Sequence, residues 1–228
     1  MPSFKPPYAH RLGAGVSPLP PGKAVCVGRN YADHAAELDN PLPEEPLLFI
    51  KPATAMAAFA GQLRLAARLG SHHYETEMTL LIGRRLYCCG AEEGVAAIAG
   101  IGVGLDLTLR DTQNRLKAQG HPWERAKAFD GSCVLSPFVP PPPGTDLHSL
   151  SLRLWRNGVL VQNGNTGAML YPVARLLQDI SRVFTLTPGD VVMTGTPKGV
   201  GQLHPDDKLV AELGTLVTAE ATVIFENV

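Results

Sequence analysis

Apolar and polar positions along the chain fall mostly into short runs and alternations, and only a few segments follow a helical period. Ala24-Val25-Cys26-Val27 and Leu47-Leu48-Phe49-Ile50-Lys51 are continuous apolar runs of strand length. Leu150 to Arg156 and Val159 to Gln162 flank Asn157-Gly158, a type I′ hairpin signal. Strands are predicted as well around Glu75 and Glu77, over 101–108, 132–139, 191–195 and, approximately, 207–213 and 215–225. Residues 63–69 also suit a strand, although their Ala and Arg content is compatible with a helix. Helical spacing is clearest over 171–184, where Val173, Leu176, Leu177 and Ile180 form one stripe behind Pro172. Shorter helices are predicted over 32–38, 92–99 and 110–119. Residues 1–23, rich in Pro and Gly, have no sustained period and suit an extended lead-in. The tally is strand-heavy, with a few peripheral helices and no regular βαβ alternation. It predicts an α+β fold, a mixed β-roll or sandwich, with an N-terminal extension over 1–20 and one domain over 21–228.

Two of these strands carry chemistry. In His72-His73-Tyr74-Glu75-Thr76-Glu77-Met78, the two glutamates are two residues apart, so in a strand they share a face about 7 Å apart. A solvated edge strand would also present two acids in this way. The segment Ile101-Gly102-Val103-Gly104-Leu105-Asp106-Leu107-Thr108 changes the balance. Its alternation sets Asp106 on the face of Gly102 and Gly104, and glycines inside strands mark close approach by a ligand or another backbone. Three carboxylates converging from two strands would form an oxygen site for a hard divalent cation, with positions left for water or substrate.

Charge and composition narrow the function further. The chain has 228 residues and a formal net charge of −1, with acids and bases interspersed, so it has no electrostatic footprint for nucleic acid or a membrane surface. The apolar run from Val95 to Leu105 is too short and too rich in glycine to span a bilayer. Cys26, Cys88, Cys89 and Cys133 show no CxxC spacing, which suits a reducing, cytoplasmic setting. The chain has no GxGxxG ahead of a helix, no GK[ST], no HExxH and no GxSxG. On the 32–38 helix, His34 and Glu37 are i and i+3, a spacing that lets a carboxylate fix an imidazole for activating water, although from spacing alone an incidental surface pair is the commoner reading. The polar, Pro-rich segment 39–46 has the composition of a loop that covers a site. Gln113 falls early on the 110–119 helix, within reach of a ligand at Asp106, and Lys127 comes just ahead of a turn.

These segments together resemble the fumarylacetoacetate hydrolase family, and are most similar to its small single-domain acylpyruvase and oxaloacetate decarboxylase branch. The resemblance rests on Val27-Gly28-Arg29-Asn30-Tyr31-x-x-His34-x-x-Glu37, Leu48-Phe49-Ile50-Lys51-Pro52, Glu75-x-Glu77 and Asp106-Leu107-Thr108-x-Arg110-Asp111-x-Gln113. Trp123-x-x-x-Lys127-x-Phe129-Asp130 and Thr194-Gly195-Thr196-Pro197-x-Gly199-Val200-Gly201 complete it. It implies that Glu75, Glu77 and Asp106 ligate Mg²⁺ or Mn²⁺, with Ca²⁺ a stand-in in crystals. It also implies that His34 and Glu37 activate water, that Lys127 sits beside the metal, and that Arg29, Lys51, Gln113 and Thr196 contact substrate. The implied activity is metal-dependent hydrolysis of a carbon–carbon bond in acylpyruvates, releasing pyruvate, with oxaloacetate decarboxylation through the same enolate. Isomerisation, decarboxylation or tautomerisation of 2-hydroxy-dienoate diacids from aromatic catabolism is the alternative, and a noncatalytic metal-stabilised binding domain is the non-enzyme alternative. The implied partners are a small 2-oxo acid and a second copy of the chain in a homodimer.

Overall fold

The computed structural model describes residues 8–38 and 41–227. Its centre is a seven-stranded mixed sheet in the order Leu47–Lys51, Ala24–Gly28, Val191–Met193, Thr76–Ile82, Ile98–Asp106, Cys133–Leu135, Met56–Ala58. A five-stranded sheet, ordered Val159–Asn165, Ser151–Arg156, Lys208–Leu213, Val217–Glu226, Gly61–Ala66, lies against it. One apolar cluster joins the two sheets: Met78, Leu80, Val103 and Leu105 from the first meet Leu63, Leu152, Leu154, Leu209 and Val223 from the second. Ile101, Val103, Leu105 and Leu107 are all fully buried, as their alternation requires. The strand-rich α+β reading therefore holds.

Among the described residues, five helices sit around the sheets: α1 (Ala32–Glu37), α2 (Ala91–Ala96), α3 (Arg110–Ala118), α4 (Glu124–Lys127) and α5 (Val173–Val183). Helix α5 buries Val173, Leu176, Leu177 and Ile180, the stripe its spacing defines. Asn157 and Gly158 both have positive φ, +53° and +79°, which the type I′ turn demands. Among the described residues no helix is long and apolar enough to cross a membrane.

Several boundaries differ from the sequence expectation. The strand expected over 132–139 ends at Leu135, just ahead of Pro137, which has no N–H to donate to a ladder. The 63–69 segment is a strand to Ala66 and then a 3₁₀ turn over Ala67–Leu69. Met56–Ala58, too short and too rich in alanine to show a period, pairs in parallel with Cys133–Leu135. The lead-in is more structured than expected: Arg11–Leu12 and Gly15–Val16 form a hairpin, Gly13 N–H donates to Phe138 O at 2.8 Å, and buried His10 bonds Gly189 O at 2.9 Å. The first seven residues of that expected extension lie outside the described residues, as do 39 and 40 of the loop expected over 39–46.

Candidate active site

The strand expected around Glu75 and Glu77 is two strands. His72–Tyr74 belongs to a small sheet with Thr108–Leu109 and Gly201–Gln202, Thr76–Ile82 belongs to the central sheet, and Glu75 is the junction. Pairing of Thr76 with Leu105 continues across this junction, because Asp106 N–H donates to Glu75 O at 2.8 Å. Residues opposite one another in an antiparallel ladder point to the same side, so Glu75 and Asp106 face together. Glu77, two residues on and opposite Gly104, joins them. Carboxylate oxygens of Glu75, Glu77 and Asp106 all lie within 4.8 Å of one another, and all three residues are buried.

The glycines on this face serve the protein and not a ligand. A Cβ on Gly104 would fall 2.6 Å from Val134 O and 2.8 Å from Thr79 Cγ2, and one on Gly102 would fall 2.8 Å from Ser136 Oγ. Their missing side chains let the next strand close in beside Asp106.

Cations surround the acids. Lys127, at the end of α4, places Nζ 2.7 Å from Glu75 Oε2 and 2.8 Å from Asp106 Oδ2, and 5.1 Å from the centre of the Phe49 ring. Arg110, at the start of α3, donates to Glu75 Oε1 and, at 2.7 Å, to Gln113 Oε1. Burial raises the proton affinity of Glu75, but the charges of Lys127 and Arg110 outweigh it and hold the carboxyl well below the usual range. Glu77 has the opposite balance: burial, then the Asp106 charge, push it well above that range, and the Gly195 N–H at 2.7 Å only partly offsets them. Burial works against the charge on Lys127, but Asp106 and Glu75 prevail and raise its pKa.

The donors here are three buried carboxylates with no thiolate or imidazole among them, a set suited to a hard divalent cation such as Mg²⁺ or Mn²⁺. Asp106 Oδ1 makes no aligned hydrogen bond, although Lys51 Nζ lies 2.8 Å away, so it retains lone-pair capacity for such an ion. The residues present fit the cation.

The remaining expected residues separate into two groups. His34 is buried on α1, with Nδ1 3.2 Å from Glu37 Oε2, and Glu37 Oε1 accepts from Gly199 N–H at 2.9 Å. The loop after Val191–Met193 therefore fixes the carboxylate that orients the imidazole. Asn30 ties that loop down, donating to Thr194 O at 2.8 Å and Tyr171 O at 3.1 Å. Gly195 has φ +98°, and a Cβ there would fall 2.6 Å from Asn30 Cβ. His34, Arg29, Gln113, Thr196 and Lys127 line one cleft with Glu75 and Glu77, and Leu47, Phe49 and Trp123 supply its apolar wall.

Lys51 stands apart. Its side chain is fully buried, and its ammonium donates to the carbonyls of Leu107 (3.3 Å), Ser132 (3.0 Å) and Lys127 while pairing with Asp106 Oδ1. Its donors are spent on the protein, it holds Asp106 in place, and it lies outside the residues that line the cleft. The structure also adds residues to which the sequence reading assigned no role. Arg110, Phe49 and Trp123 were legible only as members of the quoted motifs, while Lys117 lines the cleft without any spacing signal.

The family model described as fumarylacetoacetate (FAA) hydrolase C-terminal matches residues 23–224. Among curated proteins, the chain is 46% identical over 201 residues to oxaloacetate tautomerase YcgM of Escherichia coli (strain K12), covering 88% of this chain and 92% of that one. It is 40% identical over 187 residues to the mitochondrial oxaloacetate tautomerase FAHD1 of Bos taurus, covering 82% and 85%. Among solved structures, fumarylpyruvate hydrolase from Pseudomonas aeruginosa in complex with Mn²⁺ and pyruvate superposes with a TM-score of 0.90 at 32% identity, covering 98% of this chain and 99% of that one. Model, relatives and fold agree that the chain belongs to the fumarylacetoacetate hydrolase family.

Proposed function

We propose that the protein is a divalent-metal-dependent enzyme that interconverts the enol and keto forms of a short 2-oxo diacid of the oxaloacetate type. The observation that carries this reading is the placement of an oriented imidazole, His34, in the same cleft as Glu75, Glu77 and Lys127, with Asp106 clustered against the two glutamates. Moving a proton between carbon and oxygen beside a carbonyl requires a base of this kind together with positive charge to stabilise the enolate. The similarity to two oxaloacetate tautomerases points to the same chemistry.

Glu75, Glu77 and Asp106 would hold the cation, which supplies Lewis-acid polarisation of the 2-oxo acid's carbonyl. Glu37 keeps the proton of His34 on Nδ1, which leaves Nε2 as the acceptor. That nitrogen takes a proton from the carbon next to the carbonyl and returns it to oxygen; the reverse transfer regenerates the keto form. Lys127 stays charged among Glu75 and Asp106 and adds positive potential where the enolate develops. Phe49 and Trp123 limit water on one side of the cleft.

A second reading, hydrolysis of acylpyruvates, uses the same residues, with His34 taking its proton from water. The likeness to a fumarylpyruvate hydrolase favours it, and decarboxylation would draw on the same enolate stabilisation. With Mg²⁺ present, loss of enol oxaloacetate absorbance above the buffer rate, alongside slow or absent cleavage of acetylpyruvate, is the expected pattern. His34→Ala should lower the tautomerisation rate by roughly 10²-fold or more. Rapid acetylpyruvate cleavage without enol turnover would replace the first reading with the second. The homodimer implied by the family belongs to this proposal, and sedimentation equilibrium of the full chain at monomer mass would remove it.

A further inference from the structure

We infer that Gln162 is a positioning residue for the cleft: it holds Thr196 so that the hydroxyl proton is presented to the carboxylate of a bound 2-oxo acid. This rests on the proposed reading of the cleft. Gln162 comes from Val159–Asn165, the edge strand of the five-stranded sheet, and is buried outside the residues that line the cleft. Its amide makes three bonds. Oε1 accepts from Thr76 N–H at 3.0 Å, and Nε2 donates to Thr196 Oγ1 and to Pro197 O, each at 2.9 Å. Turning the amide over would set its hydrogens against the Thr76 N–H and its oxygen against Pro197 O, so the sense of the group is fixed. Thr76 stands between Glu75 and Glu77, and the same side chain therefore ties the loop after Val191–Met193 to the strand that carries the acids.

The consequence falls on Thr196, which is buried and lines the cleft with His34, Glu75 and Glu77. Its hydroxyl oxygen already accepts from Gln162, so its proton needs an acceptor of its own. Among the described residues the one acceptor within range is Pro197 O at 3.3 Å, longer than the roughly 2.5–3.0 Å of an O–H···O bond and already taken by Gln162. A carboxylate oxygen entering the cleft is a better acceptor for that proton. Backbone contacts on either side of Gln162 keep strand and loop together. A Cβ on Gly164 would fall 2.7 Å from Pro197 Cβ, and one on Gly199 would run into Val161 O. The Gly199 N–H is in turn the donor to Glu37, so a loop loosened as a whole would also disturb the His34 pair.

The test uses oxalate, an unreactive anion that offers a carboxylate beside a second oxygen, as a 2-oxo acid does. Titration calorimetry measures Mg²⁺ alone, and oxalate on the Mg²⁺-loaded full-length protein, for the parent, Gln162→Met, Thr196→Val and the double variant. Each single substitution should weaken oxalate about tenfold, and the double variant should lie within about twofold of Thr196→Val, because Gln162 acts through that hydroxyl. Affinity for Mg²⁺ without oxalate should stay within about twofold throughout. A bracket that merely holds the loop would instead weaken oxalate further in the Thr196→Val background, through Glu37. Additive losses, or a matching loss of Mg²⁺ affinity in Gln162→Met, would overturn the positioning role. Thr196→Val does not depend on Gln162→Met folding, and unchanged oxalate affinity in it would overturn the inference by itself. Non-additive loss of oxalate in a protein that does not tautomerise oxaloacetate would leave the positioning role standing and refute the activity. Tautomerisation with additive losses would do the reverse.

Discussion

Replacing Lys51 by Met is the sharpest test of how the acid trio is held. The ammonium is fully buried and meets four oxygens: three carbonyls from segments 56, 76 and 81 residues away along the chain, and Asp106 Oδ1. Met fills a similar volume but donates nothing, so the three carbonyls lose a charged donor and Asp106 loses one of its two cationic neighbours. Removing one partner of a buried pair costs about 3–5 kcal/mol. In a chain of this size each kcal/mol shifts the melting temperature by about 2–4 °C, so Lys51→Met should melt roughly 10 °C lower. The comparison is Lys198→Met, which removes a pair with Asp33 in which both side chains are more than half exposed and should cost no more than about 1 kcal/mol. Calorimetric melting and urea unfolding of both variants measure the difference. If Lys51→Met lies within about 1 kcal/mol of the parent, the ammonium is not what holds these four oxygens together.

Other residues give shorter tests. Glu77→Gln removes a buried carboxylate from the trio while keeping the Gly195 contact, and should weaken Mg²⁺ binding by at least about tenfold; unchanged affinity by calorimetry would take Glu77 out of the ligand set. Gly104→Ala places a methyl against Val134 O and Thr79 and should destabilise by about 1–3 kcal/mol, read from the urea midpoint. His10 and His72 are held below the ordinary histidine pKa by burial, with their bonds to Gly189 O and Gly70 O only partly offsetting it. The unfolded chain therefore binds protons that the folded chain refuses, and stability should fall as pH drops below about 6.5, by at most about 1.4 kcal/mol per pH unit for each histidine. His72→Asn should remove one histidine's share of that slope, and stability that does not vary between pH 6.5 and 5 would contradict the assignment.

The metal-side residues were legible because they sit on regular patterns. Alternation through Ile101 to Thr108 settles which face Asp106 shares, and the two-residue spacing of the glutamates survives the sheet junction at Glu75 because the ladder continues through it. The hairpin at Asn157-Gly158 is equally local, since its turn type follows from two residues. Lys51 lies behind Asp106 and off the cleft for a long-range reason. A lysine ending an apolar strand has the same local sequence whether it meets substrate or three distant carbonyls. Gly102 and Gly104 likewise signalled close approach correctly, but what approaches them is decided by the neighbouring strand and Thr79. Met56–Ala58 escaped because three residues carry no period.

Charge balance links the acid trio to the kind of molecule the cleft suits. Glu75, Glu77 and Asp106 face Lys51, Lys127 and Arg110, so fully ionised acids are already matched by buried or half-buried bases. The match is uneven, however: Glu75 touches two of the bases and Asp106 two, while Glu77 touches none and retains its proton above the usual carboxylate range. Glu75, Glu77 and Asp106 would hold a divalent cation best with that proton released, and the cluster would still gain positive charge from the exchange. A buried excess of positive charge is costly unless an anion meets it, and a dianion meets it more fully than a monoanion. In the proposed activity, the same acids that would recruit the cation would therefore favour a doubly charged 2-oxo acid over a singly charged one.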